Sequence, residues 1–143
     1  MSRTGVEAKP ARRDVPRSVR AATDEALGGR VLRAMRVWGG YSPTATFRLR
    51  LADGRRAFFK APWTDDWTKH AQDIEERVYR ELGHIIGPWA PGFLGSFECD
   101  GWKVLLLEDL GPQSVPPWRT GTARQVMHAY AAFHASTQWD TAA

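Results

Sequence analysis

The chain has 143 residues, 43% of them apolar and 25% charged, the composition of one globular domain with a core of its own. No apolar run reaches the ~20 residues that span a bilayer, and the opening twenty residues hold no apolar segment of the kind that begins a secretory signal. Cys99 is the single cysteine, which excludes an internal disulfide and a cysteine-built metal site and fits a reducing cytoplasm.

The formal net charge of +4 has a narrow origin. Residues 1–20 carry six Lys/Arg against Glu7 and Asp14, whereas the rest of the chain holds fourteen basic and fourteen acidic residues. Residues 1–16 therefore read as a flexible basic arm, solvated or touching an acidic partner, on a neutral body. A neutral body argues against nucleic acid as the partner.

After the arm, Val19, Ala22, Ala26 and Leu27 repeat at helical spacing, and Gly28-Gly29 ends that helix. "RVLRAMRVWGG" reads as a strand stopping at Gly39-Gly40. "TFRLRL" alternates, with Phe47, Leu49 and Leu51 on one face and Arg48 and Arg50 on the other. Asp53-Gly54 predicts a two-residue hairpin turn, and "RAFFKA" returns as the third strand. A helix follows, with Thr64, Asp65 and Asp66 as possible N-caps, Trp67, Ala71, Ile74, Val78 and Leu82 as its buried stripe, and Gly83 at its end. "FLGSFEC" and "WKVLLLED" form a second hairpin across Asp100-Gly101. "GPQSVPPW" reads as an extended linker, and a last helix begins at Thr122 with Gln125 at capping-box spacing. The fold class is α+β: a five-stranded, mostly antiparallel sheet with one helix inserted after the third strand.

Lys60 stands out within "GRRAFFKAP". It either keeps a strand soluble or works inside a cleft. Alternation sets Phe58 and Lys60 on one face, and Ala57, Phe59 and Ala61 on the other. At ~100° per residue, Glu75 falls at the edge of the next helix's apolar stripe, on the side of Tyr79, where it could reach the lysine. Glu76 falls nearly opposite and is expected to face water. "GGYSPTAT" is a Gly-rich turn in which Gly39 and Gly40 let backbone N–H groups approach an anion and Ser42 and Thr44 add hydroxyls. It leads into a strand, so a Walker-type loop is the wrong pattern. Strand, Gly turn, strand, lysine strand and glutamate helix in this order make the phosphate-gripping half of a kinase. "VLLLEDLGP" is then the strand whose end, Glu108 to Leu110, would meet the adenine edge. His70, His84 and His128 share no metal-ligand spacing, and no metal is assigned.

"GGYSPTATFRLRLADGRRAFFKAP", "EERVYREL", "PGFLGSFECDGWKVLLLEDLGP" and "AAFHA" together resemble the N-terminal lobe of the aminoglycoside phosphotransferase family, small-molecule kinases with a protein-kinase-like fold. The resemblance covers about residues 15–137. It implies a kinase-like N-lobe over 17–110, an inter-lobe linker over 111–121, and over 122–143 the first helix of an otherwise missing C-lobe. Lys60 would bind the α/β-phosphates of ATP and Glu75 would orient it. Gly39, Gly40, Ser42 and Thr44 would cover the phosphates, and Glu108 to Leu110 would supply backbone contacts to adenine. The family's catalytic His-Gly-Asp loop and its Mg²⁺-holding Asn and Asp have no counterpart among these residues, and Asp140 lacks their context. The implied function is the nucleotide-binding lobe of a small-molecule kinase, truncated before its catalytic loop and inactive alone, with ATP affinity no better than roughly millimolar and Mg²⁺ only alongside a second lobe. The expected partners are a nucleotide and either the missing C-lobe or a second copy, met through an open sheet underside bearing Phe58 and Leu107, with no membrane partner. The alternative is a non-catalytic partner-binding module derived from such a lobe.

Overall fold

The structure, a computed structural model, describes residues 9–38, 43–62, 66–112 and 118–138. Helices α1 (Arg17–Leu27), α2 (Asp66–Ile86) and α3 (Thr120–Ser136) accompany strands β1 (Val31–Arg36), β2 (Thr44–Leu51), β3 (Arg56–Pro62), β4 (Phe93–Cys99) and β5 (Trp102–Leu107). Short 3₁₀ turns lie at Arg12–Asp14 and Gly87–Trp89. The strands form one open antiparallel sheet in the order β1-β2-β3-β5-β4. The fold is α+β, with α2 inserted between the third and fourth strands. Because β5 rather than β4 pairs with β3, the end of β5 lies beside the lysine strand.

The alternation in β2 and β3 decides which face is the core. Phe47 and Leu49 on β2 and Ala57, Phe59 and Ala61 on β3 are buried, together with Val104 and Leu106 on β5. Val15, Val19 and Leu27 cover them from the turn before α1 and from α1 itself. Phe47 and Phe59, register partners, hold their rings 5.7 Å apart. Gly28 ends α1 at φ +62, a left-handed position where glycine carries no Cβ penalty.

Several local readings change. The β2–β3 connection is a three-residue loop, not a two-residue turn. Gly54 N–H donates to the Leu51 carbonyl, Leu51 N–H donates to Arg55, and Gly54 sits at φ +88, the bulged form of a hairpin. Gly83 does not end α2, which runs to Ile86, where Gly87 and Pro88 follow and proline lacks the N–H to continue it. α3 begins at Thr120 and buries none of its residues. Of the expected caps, Thr64 and Asp65 lie outside the described residues, as do 113–117 of the linker.

The arm expected over 1–16 is packed in its described half. Lys9 is only 8% exposed, Val15 joins the core, and the Arg12 guanidinium lies 6.0 Å from the Phe59 ring centroid. Val15 supplies the apolar burial that a solvated arm would lack.

The stripe expected to bury α2 faces outward instead: Trp67 is 76% and Ile74 52% exposed. The helix docks through polar groups and one ring. Gln72 Nε2 donates to the Lys103 carbonyl at 2.6 Å, Lys103 pairs with Asp73, and Tyr79 stacks on Phe93 at 6.0 Å. Glu76, expected in water, accepts from Ser96 at 2.6 Å and from Arg80 at 2.8 Å. The sheet positions opposite α2 hold a serine and a lysine, so its acidic side turns inward.

Candidate functional site

Lys60 lies on β3 between Thr46 of β2 and Leu105 of β5. Phe59 on one side and Ala61 on the other are spent on the core, so Lys60 points to the opposite face, where α2 crosses. Its Nζ donates to Glu75 Oε2 at 2.5 Å. Both side chains keep about a third of their surface in solvent. An ion pair so placed adds on the order of 1 kcal/mol to stability at most. Its main consequence is positional: a carboxylate from the helix fixes the ammonium on the sheet.

That pair closes one end of a cleft of about 400 Å³. Phe58 and Leu107 give it an apolar lining, Tyr79 stands beside Glu75, and the chain from Glu108 to Gly111 forms its rim. Tyr79 has its pKa raised, first by burial and then by the charge of Glu75, which keeps the phenol neutral over the ordinary pH range. The sheet underside expected to lie open is partly closed by these elements. Leu107 is buried and Phe58 half-buried, and large exposed apolar side chains lie elsewhere, on α2 and α3 and also at Leu32, Met35 and Trp38.

Glu108 is occupied at both ends. Its N–H donates to the Gly92 carbonyl at 2.8 Å, and its carboxylate accepts from Gly92 N–H at 3.0 Å. A backbone contact from this rim therefore cannot use the Glu108 N–H. Leu110 is exposed at the cleft's mouth. Between them Asp109, whose side chain is almost wholly buried, lies with its Oδ1 3.5 Å from Arg48 Nε and accepts from Gly111 N–H at 2.9 Å. Arg48 also donates to the Gly111 carbonyl. This Arg48–Asp109–Gly111 latch ties the rim to the sheet. Sequence reasoning gave Arg48 only a face, because nothing local marks a partner more than sixty positions away.

Thr44 opens β2 and is buried, but Thr46, two residues on, is the threonine that lines the cleft. Thr46 Oγ1 donates to the Val37 carbonyl at 2.9 Å and accepts from Lys9 Nζ at 3.0 Å. Thr46 and Lys9 were missed, and only the alternation that places Thr46 on the face of Lys60 could have suggested the first. Gly39, Gly40 and Ser42 lie outside the described residues.

Beside the cleft, a groove of about 270 Å³ shares Arg48 and Asp109 and adds Arg33, Arg50 and Arg56. The open sheet face is thus basic. Among the described residues no three His, Cys, Asp or Glu side chains come together as a metal-ligand cluster. No described helix is long and apolar enough to cross a membrane. The arrangement can hold an anionic group against Lys60 with an apolar body against Phe58 and Leu107.

Comparison with family models, curated proteins and solved structures finds no match to this chain.

Proposed function

We propose that the chain is a nucleotide-gripping lobe of the kinase type, similar to the N-terminal lobe of aminoglycoside phosphotransferases. The observation that carries this reading is the Lys60–Glu75 pair at 2.5 Å, made between the central strand and the helix that follows it, at the end of an apolar-lined cleft. In such a grip the lysine holds the α/β-phosphates and the glutamate holds the lysine. Phe58 and Leu107 offer apolar contact for a base, and the rim after β5 offers backbone groups beyond Glu108 N–H. The sequence order and the sheet order support it together, since the order brings the end of β5 next to Lys60's strand. The reading is for ATP binding.

Calorimetric titration with ATP tests it. The expected result is weak binding, roughly millimolar, lost in Lys60→Ala and weakened about tenfold in Glu75→Gln, with circular dichroism unchanged. Equal ATP affinity in the native chain and in Lys60→Ala overturns it.

A partner-binding module is favoured by a separate observation, the exposed apolar side chains of α2 and α3, Trp67, Ile74, Met127 and Tyr130 among them. Light scattering that shows association removed by Trp67→Lys and untouched by Lys60→Ala would support that reading over the first.

A further inference from the structure

A second basic cavity lies away from Lys60, on the side of the sheet that carries the core. It has a volume of about 310 Å³ and opens between the Arg12–Asp14 turn, α1 and β1. Arg12, Arg20, Asp24 and Arg30 line it, with β1 behind them adding Arg33, which also borders the groove beside the Lys60 cleft. Arg12 Nη1 and Arg20 Nε are buried, and neither has a hydrogen-bond partner among the described residues. Folded proteins leave few buried donors unmatched, and a guanidinium keeps its charge at any ordinary pH.

The single carboxylate there is already engaged, since Asp24 Oδ1 accepts from Val31 N–H at 3.1 Å at the start of β1. Burial lowers the pKa of Arg12, Asp24 opposes that, and the neighbouring Arg20 adds to it, so the two guanidiniums act on each other across the cavity. Arg12 is held in place by its contact with the Phe59 ring. Four guanidiniums face one carboxylate, already engaged at Oδ1, and two buried donors have no acceptor among the described residues. An anion completes such a set.

We propose that this cavity binds a phosphate-class oxyanion, with Arg12 Nη1 and Arg20 Nε donating to it and Arg30 adding charge. A tetrahedral oxyanion suits donors arriving from two different elements, because it accepts in several directions while a carboxylate accepts in one plane. The cavity is larger than a bare phosphate needs, so the group arrives either as the free ion or as the phosphomonoester of a small molecule. The site is independent of the Lys60 cleft.

The test uses the full chain carrying Lys60→Ala, so that the cleft does not contribute, at ionic strength held constant with sodium chloride. Inorganic phosphate and glycerol phosphate are titrated separately by calorimetry. The expected result is one site, weakened at least tenfold by Arg20→Ala and less by Arg20→Lys. Tighter binding of glycerol phosphate identifies an ester as the occupant, and equal binding identifies the free ion. Binding unaffected by Arg20→Ala, or none by either probe, overturns the proposal. Because Arg20→Ala could loosen α1, amide chemical shifts of the unmutated chain supply a second readout. Phosphate is expected to move the signals of Asp24, Val31 and Ala34. Shifts confined to the Lys60 cleft overturn the assignment.

Discussion

Glu75 and Glu76 are adjacent in sequence and serve different walls of the same helix. Glu75 meets Lys60 in the cleft, while Glu76 ties α2 to β4 through Ser96 and to its own helix through Arg80. Burial works against the charge of Glu76, but the hydrogen bonds from Ser96 and Arg80 outweigh it and leave its pKa below the ordinary value. A depressed carboxylate stabilises the fold above its unfolded pKa, and that stability is lost as pH falls through the folded one. Denaturant midpoints measured downward from neutral pH are therefore expected to fall in acid, and Glu76→Gln should flatten part of that fall. A curve with an unchanged acid limb in the variant would remove Glu76 from the account. In the core, Phe59 is fully buried against Phe47 and under Arg12. Phe59→Ala is expected to cost about 3–5 kcal/mol in equilibrium unfolding.

At the scale of the element, α2 shows how an amphipathic pattern can mislead. Its apolar residues do fall on one helical stripe, yet Gln72, Asp73, Glu75, Glu76 and Tyr79 are among the side chains that engage the sheet. The periodicity shows that the helix has an apolar side and cannot show what lies opposite it. β5 and β4 present Lys103 and Ser96 to the helix, and their demand for partners turns the polar side inward. The consequence for mutation is the reverse of the stripe reading. Ile74→Gln should change unfolding free energy by no more than about 0.5 kcal/mol, whereas Tyr79→Ala, which removes the ring on Phe93, should cost about 1–3 kcal/mol. Thermal and urea denaturation of the two variants measures the contrast. A larger loss from Ile74→Gln would mean that the stripe is covered in solution.

Over the whole molecule, stability is expected to be uneven. One face of the sheet, Val15 after the Arg12–Asp14 turn and α1 share a single core, whereas α3 buries no residue and meets the rest through Phe133 against Trp89 at 6.1 Å. Amide exchange should be fastest in α3 and slowest in β2, β3 and β5, because local opening costs least where few apolar contacts break. Equal protection in α3 and β3 would show that α3 has a partner in solution. The strands and helices, the faces of β2 and β3, and the candidacy of Lys60 and Glu75 were legible in sequence, because alternation, glycine punctuation and helical angle are properties of a few neighbouring residues. The packing of Lys9 and Val15, the inward turn of Glu76 and the latch of Arg48 to Asp109 were decided by the tertiary structure. Each joins segments far apart in the chain, and a buried polar group takes whichever partner the fold brings within reach.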